Sequence, residues 1–210
     1  MRLTARAIHH GFGGRQLLSG IDLEVAQGDS VAILGPSGSG KTTLLSILGG
    51  LLQPARGTVA VIAADDGHAS PKQHVSWVFQ TVNVLPDRSV LDNAALSAFA
   101  DGRTRREAEV AALTALRAVG LEGAAGQRTR DISGGELQRV VLARALACSR
   151  PFILADEPTG QLDRATTHQV VEALVAVSGC RGLIVVTHDR SVAERCSCSL
   201  ELRDGVLVPA

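Results

Sequence analysis

Apolar and polar residues alternate loosely from Arg2 to His9 and from Ile21 to Val25. That period predicts two strands, with Gly11-Phe12-Gly13-Gly14 as the turn between them. Gln27-Gly28-Asp29 reads as another turn. Ser30 to Leu34 is a short apolar run bounded by glycine, the pattern of a strand buried on both faces. A Gly-rich loop follows it. The pattern then shifts to a helix from about Lys41 to Leu52, stopped by Gln53-Pro54. Gly57 to Ala63 and His74 to Phe79 read as strands, separated by a polar loop over residues 64–73.

From Val90 to Arg150 the chain changes character and becomes helical, rich in Ala and Arg. Thr104-x-x-Glu107 and Ser133-x-x-Glu136 have the capping-box form, and Gly120 marks a helix stop. Beyond Pro151 come a strand at Phe152–Ala155, a helix from about Asp163 to Val177, a strand at Leu183–Thr187, a short helix, and two short strands around Gly205. Strands alternating with helices at both ends of the chain, around a helical block, predict an α/β fold with a helical subdomain inserted. The expected organisation is one domain over residues 1–210, with a core from 1–86 and 151–210 and a helical part at about 87–150.

Composition narrows the function. Lys+Arg and Asp+Glu both number 21, which speaks against a basic protein that coats nucleic acid. The apolar run Leu44 to Leu52 falls well short of the ~20 residues that cross a bilayer. The first residues lead into no apolar stretch of a secretion signal. These features predict a cytoplasmic protein. Cys148, Cys180, Cys196 and Cys198 are expected to be reduced, small, buried hydrophobes, because Cys196-x-Cys198 has no second pair at zinc-ligand spacing. Lysine occurs only at positions 41 and 72.

Lys41 lies in Gly35-Pro36-Ser37-Gly38-Ser39-Gly40-Lys41-Thr42, which fits G-x-x-x-x-G-K-[ST] at every fixed position, after a buried strand and before a helix. Glycines let successive backbone N–H groups converge on phosphate oxygens, and the helix N-terminus adds partial positive charge. Lys41 is expected to reach the β- and γ-phosphates and the Thr42 hydroxyl to ligate Mg²⁺; Thr43 completes the predicted nucleotide-binding stretch. The partner element is Phe152-Ile153-Leu154-Ala155-Asp156-Glu157, which starts beyond the helical block. Asp156 suits the Mg²⁺ shell and Glu157 the polarisation of an attacking water.

Ile132-Ser133-Gly134-Gly135-Glu136-Leu137-Gln138-Arg139 separates the phosphate-loop families, and it resembles the Leu-Ser-Gly-Gly-x-Gln signature of ABC transporter ATP-binding subunits. Ser133 could also simply cap the following helix, but a cap does not require two glycines. The resemblance implies a mixed, mostly parallel sheet with an antiparallel β subdomain and a helical signature subdomain. It implies ATP and Mg²⁺ as cofactors. It also implies a dimer closed by ATP, in which Ser133, Gly134, Gly135 and Glu136 of one copy cover the γ-phosphate held by the other.

Further family elements follow in order. Gln80 matches a loop glutamine that touches Mg²⁺ or the attacking water and couples to a separate transmembrane permease, whose coupling helix is expected to dock around Asn83 to Asp87. Asp163, in Gly160-Gln161-Leu162-Asp163, matches a residue at the dimer seam. His188 matches a histidine at the γ-phosphate, and Phe12 an aromatic ring stacked on adenine. His9 and His10 read as surface residues. Phe79 to Pro86 and Ala155 to Gly160 look most like the branch serving lipoprotein release, macrolide efflux and cell division. The expected place is the inner face of the cell membrane, held through the permease, with no nucleic-acid partner. A soluble relative acting on DNA or ribosomes and an ordinary phosphate-loop kinase stay open as alternatives.

Overall fold

A computed structural model describes residues 1–63, 67–160, 162–178 and 180–210. Residues 64–66 of the predicted polar loop and Gln161 therefore lie outside the described residues. The chain forms two compact units, one of Met1–Val75, Arg150–Glu157 and Ser178–Ala210, the other of Ser76–Ser149 and Pro158–Val177.

The first unit holds two sheets. β1 (Arg2–Phe12) and β2 (Arg15–Ala26) form an antiparallel hairpin longer than the alternation predicts. Phe12 pairs with Arg15, so only Gly13 and Gly14 make the turn, with φ of 55° and 80°. Two consecutive positive φ values suit the right-handed twist of a tight hairpin, and glycine adopts them without strain. Gly11 belongs to the strand instead: a Cβ there would collide with the Arg15 carbonyl oxygen. β4 (Arg56–Ile62) pairs antiparallel with β1, and β5 (His68–Ala69) with β4, giving the order β2-β1-β4-β5.

The second sheet is mostly parallel. β3 (Ser30–Leu34) lies between β8 (Gly182–Val186) and β9 (Cys198–Arg203), parallel to both. β7 (Phe152–Asp156) runs parallel beside β8, and β10 (Val206–Pro209) antiparallel beside β9. Beyond β7 comes the start of β6 (Val75–Val78), where the first unit ends. Nearly every residue of β3, β7 and β8 is buried, which explains their unbroken apolar runs. Helix α1 (Lys41–Leu48) buries Leu44, Leu45, Ile47 and Leu48. It stops four residues before the expected end because the Gly49 and Gly50 backbones cap it, with Gly50 at φ 73°.

The second unit is helical: α2 (Val90–Ala100), α3 (Arg105–Ala118), α4 (Gly134–Ala147) and α5 (Arg164–Ser178). Both predicted capping boxes form, and a third, Ser89 with Asp92, opens α2. Ala94, Ala98, Ala108, Ala112, Ala143 and Ala145 are buried, which lets α2, α3 and α4 pack closely. A short helix α6 (Arg190–Ala193) returns in the first unit.

Candidate functional site

The fold of the first unit brings the phosphate loop, Asp156, Glu157 and His188 to the ends of adjacent parallel strands. The loop leaves β3 and enters α1 through Gly40, whose φ is 101°. Lys41 folds back over it, its ammonium donating to the Gly35 carbonyl at 2.8 Å and the Pro36 carbonyl at 3.0 Å. An ammonium has three N–H groups, so these two bonds place the charge at the loop mouth with one donor left for an anion. Pro36, Ser37 and Gly38 are exposed, and the Ser39 hydroxyl is buried without a partner among the described residues.

Asp156 ends β7 and is 6% exposed. Burial pushes its carboxyl above the usual carboxylate range, and the neighbouring Glu157 adds to that rise. The Thr42 hydroxyl, which bonds it, and the Lys41 charge act in the other direction. A buried carboxylate and a hydroxyl that meet are oxygen donors of the kind a hard divalent cation takes.

Glu157, at φ 45°, sits in the left-handed region that non-glycine residues seldom occupy. The turn aims its carboxylate at the end of β8, where Oε2 accepts from the Thr187 hydroxyl at 3.3 Å and lies 2.9 Å from His188 Nδ1. The His188 ring is 75% exposed, so it holds the carboxylate from the solvent side. Phe12 is 55% exposed at the hairpin tip, its ring edge-on to His10 with centroids 4.8 Å apart. His9 and His10 are half-buried, because hairpin pairing and the Phe12 ring cover part of each.

The second unit holds Gln80, the signature and Asp163. Gln80 is exposed, two residues past the end of β6. Ser133 caps α4, accepting from the Glu136 N–H at 3.3 Å while its hydroxyl donates to Glu136 Oε2 at 2.7 Å. That hydroxyl and the Ser133 backbone N–H, which also donates to Oε2, hold the Glu136 carboxyl below the usual range. α4 begins at Gly134, directly after its cap. A Cβ on Gly134 would meet nothing within 4 Å, so packing within this chain does not demand glycine there. Asp163 accepts from the Thr166 N–H at 3.0 Å and hydroxyl at 2.7 Å, which holds its carboxyl below the usual range.

Residues 18–160, more than half of the chain, match the ABC transporter family. The chain belongs to that family. As a cassette of the ABC transporter family it binds and hydrolyses ATP. It is 43% identical over 200 residues to the lipoprotein-releasing system ATP-binding protein LolD of Oleidesulfovibrio alaskensis, a match covering 91% of this chain and 87% of that protein. It is 39% identical to the macrolide export ATP-binding/permease protein MacB of Rhodopirellula baltica, over 91% of this chain and 30% of that protein. The fold is that of the dimeric bacterial ABC transporter cassette MJ0796, with a TM-score of 0.85, 32% identity, and coverage of 98% of this chain and 96% of that one. A second structure of MJ0796, in a post-hydrolysis state bound to ADP and Pi, superposes with a TM-score of 0.84 at 31% identity.

Two features of this ABC cassette escape sequence reasoning. Gln138 is 1% exposed on α4 and donates to the Pro158 carbonyl at 3.1 Å, next to Glu157 in the chain. Its signal is a glutamine on the inward side of an amphipathic helix. The cysteines are the other: Cys148 is buried, but Cys180 and Cys198 are exposed and Cys196 half-buried. The last two flank Ser197 where the chain enters β9, so that turn opens one thiol to solvent and partly covers the other. Burial pushes the Cys196 thiol up to about 11, making it a poor nucleophile at neutral pH. No helix among the described residues is long and apolar enough to cross a membrane.

Proposed function

We propose that this cassette is the ATPase subunit of a transporter whose permease is a separate membrane protein, and that two copies close over ATP. The observation that carries the reading is the meeting of Lys41, Thr42, Asp156 and Glu157 in one unit. It supports Gly35 through Thr43 as the phosphate cradle, with Lys41 as its cation. Thr42 and Asp156, with Gln80, are the residues that would hold Mg²⁺, which when bound neutralises charge on the β- and γ-phosphates. Glu157 orients the attacking water and accepts its proton. His188 steadies Glu157 and faces the γ-phosphate, while Phe12 stacks on adenine.

Gly134 supports the dimer: it is exposed, and the space a Cβ would occupy is left open to a ligand from outside the chain. Ser133, Gly135 and Glu136 share that edge, and Asp163 borders the seam. Two composite sites, each with Lys41 from one copy and Ser133 from the other, require an isologous two-fold interface. The LolD relative, matched over 87% of its length, supports the lipoprotein-release branch over the fused MacB arrangement, matched over 30%. The cassette would then sit on the cytoplasmic face of the membrane, with the permease docked around Asn83 to Asp87. Purified Lys41→Ala protein tests the core of this reading. Loss of both ATP binding and phosphate release is expected, with the melting temperature retained; unchanged hydrolysis would sink it.

A further inference from the structure

Gln80 rides on an exposed segment, and a segment that only dangles cannot transmit a position. Three residues further on, the chain is held from inside the second unit. The guanidinium of Arg144, on α4, donates from Nη1 to the Asn83 carbonyl at 2.7 Å, from Nε to the Asn93 carbonyl at 2.9 Å and from Nη2 to Asn93 Oδ1 at 3.0 Å. Asn93, on α2, has no exposed surface. Its Oδ1 also accepts from the Leu85 N–H at 2.8 Å, and its Nδ2 donates to the carbonyls of Leu85 and Ser89, each at 3.0 Å. Thr129, likewise fully buried, donates to the Leu85 carbonyl at 2.8 Å. The Ser97 hydroxyl in turn bonds the Arg144 carbonyl.

We propose that Arg144 is a positioning residue that locks the segment carrying Gln80 to the signature helix, so that Gln80 and Ser133 move as one piece and Arg144 acts on hydrolysis through Gln80. The geometry gives the lever its stiffness. One planar group makes three charge-assisted bonds to two elements, an arrangement a flexible ammonium cannot reproduce. Sliding residues 83–85 without α4 would break the bond to Asn83 and strand the buried Asn93 amide. Ser133 lies eleven residues before Arg144, at the cap of the same helix, about 16 Å along its axis at 1.5 Å per residue. Displacement of the permease-facing segment would thus reach the signature end without loss in a soft loop.

The inference rests on the proposed role of Gln80, and a double-substitution cycle on the full chain tests the two separately. Single-turnover phosphate release and ATP affinity are measured for the parent, Gln80→Ala, Arg144→Lys and the pair. Arg144→Lys is expected to lower kcat ~10–100-fold, the cost of misplacing a catalytic constellation, with ATP affinity unchanged. The pair should hydrolyse no more slowly than Gln80→Ala alone. A loss of folded material would instead multiply the two effects, and that result overturns the proposal. Unchanged kcat in Gln80→Ala overturns the reading of Gln80 and the proposal with it, so the two failures differ. Should Arg144→Lys not fold, Asn93→Asp keeps the Oδ1 that accepts from Arg144 and Leu85 and removes the amide donor to the Leu85 and Ser89 carbonyls. The same absence of multiplication with Gln80→Ala is then expected.

Discussion

Replacing Glu157 by Gln changes the charge at one atom and almost nothing of the shape. The amide oxygen of the variant can still accept from the Thr187 hydroxyl and the His188 backbone N–H, which lie 3.3 and 3.4 Å from Oε2 of the native carboxylate. Only the carboxylate charge facing His188 Nδ1, at 2.9 Å, disappears, and that ring is 75% exposed. Such a screened pair contributes at most ~1 kcal/mol, which for a chain of this size moves the melting temperature by ~2–4 °C. The chemical loss is larger. An amide does not take a proton from water, and removing a general base lowers the rate ~10²–10⁴-fold. At about 1.36 kcal/mol per tenfold that is ~2.7–5.5 kcal/mol on the barrier, several times the stability term. The assay is single-turnover phosphate release by the pure variant, beside ATP affinity from a fluorescent nucleotide and a thermal melt. The expected pattern is retained affinity, a nearly unchanged melt and a collapsed rate. Full hydrolysis would refute the role of base, and loss of affinity alongside rate would make Glu157 a binding group.

Two further outcomes follow from the same site. In the Glu157→Gln background ATP should convert the cassette to dimers and ADP leave monomers, read by light scattering; a strict monomer at saturating ATP argues against the composite site. Asp156→Asn should raise the melting temperature at neutral pH without Mg²⁺ while abolishing hydrolysis. The Asp156 carboxyl is raised in the fold, so its contribution to stability is fully present below the ordinary Asp value and lost as pH rises through the raised one. The gap between Asn variant and parent should therefore close on acidification, and a gap that widens would show the sign to be wrong.

Much of the cassette is legible in the sequence because its parts are local. The phosphate loop, the acids after β7 and the boxes at Thr104 and Ser133 are spacings of a few residues, each with one physical reason. The differences arise where one local signal outweighs another, or where a distant partner decides. Gly11 looks like a turn residue, yet the Arg15 carbonyl crowding the place of its missing Cβ shows that it serves the facing strand. Pro54 suggests an end for α1, although Gly49 and Gly50 close it sooner. Ser89-x-x-Asp92 is hard to see because Asp replaces the longer acid usual in that box. Arg144 is the least visible. In an Arg-rich helical stretch nothing marks it as one whose guanidinium turns inward, since its partners are carbonyls 51 and 61 residues away.

The backbone at Glu157 carries an evolutionary consequence. A left-handed conformation costs an L-residue ~1–2 kcal/mol, and glycine escapes that cost. The neighbouring Asp156 is buried as well. Under the roles proposed above, both acids stand where a glycine at 157 or a neutral side chain at 156 would make a sturdier protein, and the demand for turnover is what keeps them there. A duplicated copy released from that demand would gain robustness from its earliest inactivating substitutions. Descendants of this gene that have lost hydrolysis should accordingly show changes at 156 and 157 before any at the tightly packed β3 or β8, and should persist as stable nucleotide binders rather than decay.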